Sequence, residues 1–143
     1  NQICIHLAKA ITRDGEGATK LIEVTISGAV SLDDARLAAR TVVTSPLVKT
    51  AVHGADPNWG RILVAVGRSG ADMEQSKVDL YIGDINVLKG GRPQQYSEDS
   101  VVQVFSQKEV PIRVDLNLGS ASATAWGCDL SKEYVTINSQ YMT

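Results

Sequence analysis

A chain of 143 residues with 43% hydrophobic and 21% charged side chains has the make-up of one globular domain able to build its own core. That balance excludes a disordered or collagen-like polymer. The formal net charge of −2 gives no electrostatic drive toward nucleic-acid phosphates or anionic lipid. No apolar stretch approaches the roughly 20 residues of a membrane-spanning helix. Cys4 and Cys128 are far apart and belong to no CxxC or Cys/His grouping, so neither a disulfide-stapled scaffold nor a structural metal site is expected.

Ile3, Leu7, Ala8 and Ile11 recur at helical spacing over residues 2–12. That helix starts abruptly, with no preceding cap box, as expected of a piece of something longer, and it stops at the knot Asp14-Gly15-Glu16-Gly17. Residues 20–28 crowd β-branched side chains between turn formers and predict a strand. Ser31, Asp33 and Asp34 suit a helix start, with a hydroxyl to cap and acids at the positive end of the dipole. Ser45-Pro46 breaks that helix and opens a shorter one at 46–52. Asp56-Pro57-Asn58 predicts the next start, with Trp59, Ile62, Leu63 and Val66 as its apolar face and an end at Gly67 or Gly70. Residues 78–82 and 85–88 predict a hairpin around Gly83-Asp84, and Gly90-Gly91-Arg92-Pro93 a turn. Ser97-Glu98-Asp99 caps a helix carrying Val101, Val102 and Phe105. Alternation over 110–118 predicts a strand, a Ser/Ala/Thr-rich stretch follows at 119–125, and residues 134–137 predict a final strand. The order α-β-α-α-α-β-β-α-β-β describes a mixed α/β protein with a mixed or antiparallel sheet.

Three places carry polar side chains beside glycine. In the knot at 14–20, glycines flank Glu16, which allows close approach of a ligand to its carboxylate; a helix end followed by a turn explains the same residues. The spacing matches neither GxGxxG nor GxxxxGK[ST], and a central acid repels phosphate. In 53–61, Asn58 and Arg61 lie beside Trp59 and either frame a pocket or serve the following helix. His53 reads as a surface or satisfied histidine rather than a base. In the third place, Trp126 and Asp129 flank Cys128, which reads as a small buried hydrophobe rather than a nucleophile.

The runs Arg13-Asp14-Gly15-Glu16-Gly17-Ala18-Thr19-Lys20, Ser45-Pro46-Leu47-Val48-Lys49-Thr50-Ala51, Asp56-Pro57-Asn58-Trp59-Gly60-Arg61-Ile62, Ala125-Trp126-Gly127-Cys128-Asp129-Leu130 and Tyr134-Val135-Thr136-Ile137-Asn138 resemble, in order and along the whole chain, the ornithine acetyltransferase (glutamate N-acetyltransferase) family of arginine biosynthesis. The resemblance implies the DmpA/ornithine-acetyltransferase-like α/β (α+β) fold, with 1–143 as the C-terminal part of its β chain. No linker divides it; 1–70 would contribute to the catalytic core and 71–143 form a smaller α/β unit. It also implies a precursor that cleaves itself before a threonine, whose new α-amino group serves as base while its hydroxyl carries the acetyl group. No such threonine stands here, because Thr12 and Thr19 are internal, so no catalytic residue is expected in this chain.

By the same resemblance Glu16, Asn138 and Thr143 bind substrate; Asn58, Arg61, Trp126 and Asp129, close to glycine turns, either support them or serve packing alone. Expected partners are the α chain, which supplies the oxyanion hole, the preceding β-chain segment, and the substrates N2-acetylornithine and glutamate. The assembly is expected to be α2β2 or larger, in the cytoplasm, without metal, nucleic acid or membrane. No cofactor is implied beyond acetyl-CoA as a co-substrate in some members. Two other classes fit the residues: an N-terminal-nucleophile amidase or peptidase of the same fold, and a non-catalytic assembly module.

Overall fold

A computed structural model describes residues 1–140. The elements run α1 (Gln2–Arg13), β1 (Leu21–Ala29), α2 (Leu32–Thr44), α3 (Pro46–His53), α4 (Gly60–Gly67), a short 3₁₀ turn (Gln75–Lys77), β2 (Asp79–Ile82), β3 (Ile85–Lys89), β4 (Arg92–Pro93), α5 (Glu98–Phe105), β5 (Glu109–Asp115), β6 (Ala121–Cys128) and α6 (Lys132–Gln140). Six strands form one mixed sheet in the order β4-β3-β2-β5-β1-β6. β1 and β5 pair in parallel, with Val24 opposite Ile112, and the other neighbours are antiparallel. Among the described residues no helix is long and apolar enough to cross a membrane.

Alternation along the strands separates two faces. Ile22, Val24 and Ile26 of β1, Val110, Ile112 and Val114 of β5, and Leu80 and Ile82 of β2 are buried. They share one core with Ala35, Ala38, Ala39, Val42 and Val43 of α2, Val48 and Val52 of α3, Ile62 and Val66 of α4, and Phe105 of α5. Small alanines on α2 let that helix lie close to the strands, which is how a core with few aromatics is filled. The other face is polar. Thr25 and Thr124 share a hydrogen bond at 2.9 Å, and Arg113 stacks over Tyr81 at 4.2 Å.

The hydroxyl caps expected at Ser31 and Ser97 are in place, and Ser45 caps α3 in the same way. Ser31 accepts from the Asp34 amide at 3.1 Å, Ser45 from Val48 at 3.4 Å and Ser97 from Ser100 at 3.3 Å. Four expectations are corrected. Residues 134–137 are helical: Ser131 accepts a hydrogen bond from the Tyr134 amide and caps α6, and this local bond outweighs the β-branched composition. The last strand is instead β6, whose alanines and serines pair with β1 in register from Cys128 opposite Leu21 to Ala123 opposite Ile26. Neither Asp56 nor Asn58 caps α4, which begins after Trp59 without a side-chain cap. Arg92 and Pro93 pair with Lys89 and Leu88 as a minimal edge strand rather than only a turn.

Candidate functional site

The loop at 14–20 leaves α1 and enters β1, and it is tied down at three levels. At the top, Gly17 adopts φ +67°, and a Cβ there would stand 2.6 Å from the Tyr134 nitrogen and 2.8 Å from Ser131 Oγ. Only glycine lets the loop press this closely on the start of α6. Ser131 holds the contact by donating to the Gly17 carbonyl at 2.6 Å while accepting from the Tyr134 amide at 3.1 Å. One hydroxyl therefore joins the loop to the C-terminal helix.

Below it, Asp129 is the hub. Its buried carboxylate accepts from the Thr19 amide (2.7 Å), the Thr19 hydroxyl, the Lys20 amide (2.8 Å) and His53 Nδ1 (2.7 Å). Burial pushes the Asp129 carboxyl up, but the bonds from Thr19, His53 and the two amides outweigh it and hold it below the usual carboxylate range. Lys20 reaches the end of α3, donating to the carbonyls of Val52 (2.7 Å) and His53 (3.2 Å). Burial lowers its pKa, against the opposing pull of Asp129. Lys49 Nζ, one turn before His53 on α3, lies 3.8 Å from Cys128 Sγ.

This scaffold brings Glu16 and Asn138 together across 122 positions of sequence. Asn138 Nδ2 donates to Glu16 Oε2 at 3.2 Å and to the Tyr134 carbonyl at 2.8 Å. With both Nδ2 hydrogens so used, the Oδ1 of Asn138 is the amide's remaining acceptor. Both residues are exposed. A carboxylate and an amide oxygen side by side offer two acceptors to a cationic guest. Thr143, the third expected binding residue, lies outside the described residues.

The expected supporting residues fall in different places. Asp129 belongs to the scaffold under Glu16. Trp126 on β6 donates from Nε1 to Glu23 at 2.6 Å, and Lys9 of α1 pairs with the same carboxylate at 2.7 Å. Burial pushes Glu23 up, yet the Lys9 and Trp126 bonds leave it below its ordinary value. This trio fastens α1 to the polar face of the sheet. Arg61 instead ties α4 to α3, donating to the Leu47 carbonyl at 2.9 Å and to Thr50 at 3.3 Å. Asn58 is exposed beside it, and no described bond links either residue to Glu16 or Asn138.

The sequence reading missed Thr19, Lys20 and Ser131, and it did not foresee which residue satisfies His53. His53 is a satisfied histidine, its ring held on Asp129. The partners lie 76 positions apart, and no local spacing announces the pair. Cys128 is half-buried against Lys49.

Two of the hollows among the described residues do not include the pair. One of about 240 Å³ is lined by Arg13, Thr19, Lys20 and Lys108 on the far side of the loop. Another of about 310 Å³ lies between Arg36 and Arg40 of α2 and the edge of β6. Glu16 and Asn138 form an exposed corner among the described residues.

A family model described as "ArgJ family" matches residues 1–143. The chain is 57% identical over 141 residues to the arginine biosynthesis bifunctional protein ArgJ of Dehalococcoides mccartyi, covering 99% of this chain and 35% of that protein. It is 53% identical to the protein of the same description from Symbiobacterium thermophilum, again covering 99% and 35%. A crystal structure of arginine biosynthesis bifunctional protein argJ from Bacillus halodurans superposes with a TM-score of 0.95 at 47% identity, covering 98% of this chain and 66% of that one. The chain spans about a third of the length of the curated relatives it matches.

Proposed function

Because the chain belongs to the ArgJ family, we propose that it is the C-terminal part of the β chain of an acetyltransferase that moves acetyl from N2-acetylornithine to glutamate. On this reading residues 1–143 are one portion of a DmpA/ornithine-acetyltransferase-like fold working in the cytoplasm. Glu16 and Asn138 form a substrate-binding corner, joined by Thr143. The observation that carries the reading is the Asn138–Glu16 hydrogen bond, which unites two residues from opposite ends of the chain on a scaffold latched by Asp129 and Ser131.

The reacting hydroxyl belongs to a threonine outside these residues. Its oxygen attacks the acetyl carbonyl, the amide C–N bond breaks, and the hydroxyl proton passes through the threonine's own amine to the leaving nitrogen. The amine of glutamate then attacks the ester and releases the hydroxyl. This chain's part is recognition: the carboxylate of Glu16 and the Oδ1 of Asn138 receive an ammonium of ornithine, while the fixed loop spares the site the entropy of ordering them.

Glu16→Gln in the complete protein is expected to lower kcat/KM for N2-acetylornithine at least tenfold, about 1.4 kcal/mol. Steady-state kinetics with each amino acid in turn reads this out, and an unchanged profile would remove Glu16 from the site. Following acetyl with and without glutamate separates transfer from plain hydrolysis.

A further inference from the structure

Helix α1 has two sides with unequal fates. Toward the sheet, Ala8 and Lys9 are half-buried, and Lys9 is locked to Glu23. Away from it, Ile3, Leu7 and Ile11 occupy successive turns and are 75%, 53% and 74% exposed, with Cys4 exposed beside them. None of the residues of α1 is buried. Because Lys9 and Trp126 fix the rotation of the helix, the stripe cannot turn inward without breaking the Glu23 contacts. Three large aliphatic side chains in one row, with no charge among them, mark a surface made to be covered.

The solved relative shows what is at hand to cover it. It keeps this fold with a TM-score of 0.95, yet about a third of its chain lies outside the match. We propose that the Ile3–Leu7–Ile11 stripe of α1 seats that remaining third of the same polypeptide through an apolar face. The inference rests on the reading of this chain as a piece of an ArgJ protein. It also adds something to that reading, since α1 runs directly into the loop that carries Glu16. A body seated on the stripe lies on the helix that leads into the Glu16–Asn138 corner.

Cys4 is a built-in reporter, flanking Ile3 and one turn before Ala8. The complete protein is treated with iodoacetamide, native and in urea, and alkylation of the Cys4 and Cys128 peptides is followed separately by mass spectrometry. Cys4 is expected to react at least 100-fold more slowly in the native protein than in the unfolded one, at every protein concentration. Protection below 100-fold overturns the proposal. Protection that disappears on dilution also overturns it, because the stripe then belongs to a second copy. Acetyl transfer measured on the same sample keeps the two readings apart. A protected Cys4 without transfer refutes the proposed function alone, and an accessible Cys4 with transfer refutes this seat alone.

Discussion

The helix-covered face of the sheet and the corner between the 14–20 loop and α6 are built by different physics. Beneath α2, α4 and α5 the contacts are apolar and numerous, and no single atom decides the outcome. At the corner a few directional bonds do the holding: Ser131 to Gly17, Asp129 to Thr19 and Lys20, and Asn138 to Glu16. Non-directional packing tolerates repacking and sets overall stability. Hydrogen bonds tolerate little displacement and set geometry. Damage to the first region should therefore unfold the chain, whereas damage to the second should misplace Glu16 while leaving the fold largely intact.

The strongest test of that contrast is Phe105→Ala. Phe105 is the largest fully buried side chain, and its truncation is expected to cost about 3–5 kcal/mol by urea unfolding. Gly17→Ala comes next, at about 2 kcal/mol, because it joins a left-handed backbone to a Cβ placed 2.6 Å from the Tyr134 nitrogen. Hydrogen exchange should show that loss confined to the loop and α6; a cost equal to that of Phe105→Ala, spread over the sheet, would erase the distinction.

Asp129→Asn is the mildest, at about 1–2 kcal/mol near neutral pH, since one amide oxygen can still accept. Its signature is in the pH dependence. The folded carboxyl lies below its ordinary value, so its contribution is fully present above about pH 4 and is lost as pH falls through the folded value. Between neutrality and that acid range the Asn variant should lose less stability than the parent chain. Some acid sensitivity will remain through Asp79 and Glu23, whose carboxyls are also held low. An acid limb of unchanged slope would show that Asp129 gains nothing from its ionised form.

Much of the apolar region can be read directly from the sequence. Alternation at Val110, Ile112 and Val114 marks a half-buried strand, and the hydroxyls of Ser31, Ser45 and Ser97 mark helix starts, because both signals act over a few residues. Residues at 121–128 and 134–137 misled for the opposite reason. The first stretch is poor in β-formers but finds a partner in β1, and the second is rich in them but is capped by Ser131. Strand propensity expresses pairing and burial more than any backbone preference. At the corner, the glycines around Glu16 drew notice but its role, like that of Asn138, came through resemblance to a family, and the Asp129 partner of His53 was not foreseen.

The amino-acid order alone settled which residues go inside and where most helices begin, since both depend on neighbours along the chain. That Glu16 meets Asn138, that Asp129 gathers Thr19, Lys20 and His53, and that β1 lies between β5 and β6 emerged only when distant segments were brought together. Closing loops of that length costs entropy that no local pattern encodes, and it is repaid collectively by the core on the other face of the sheet.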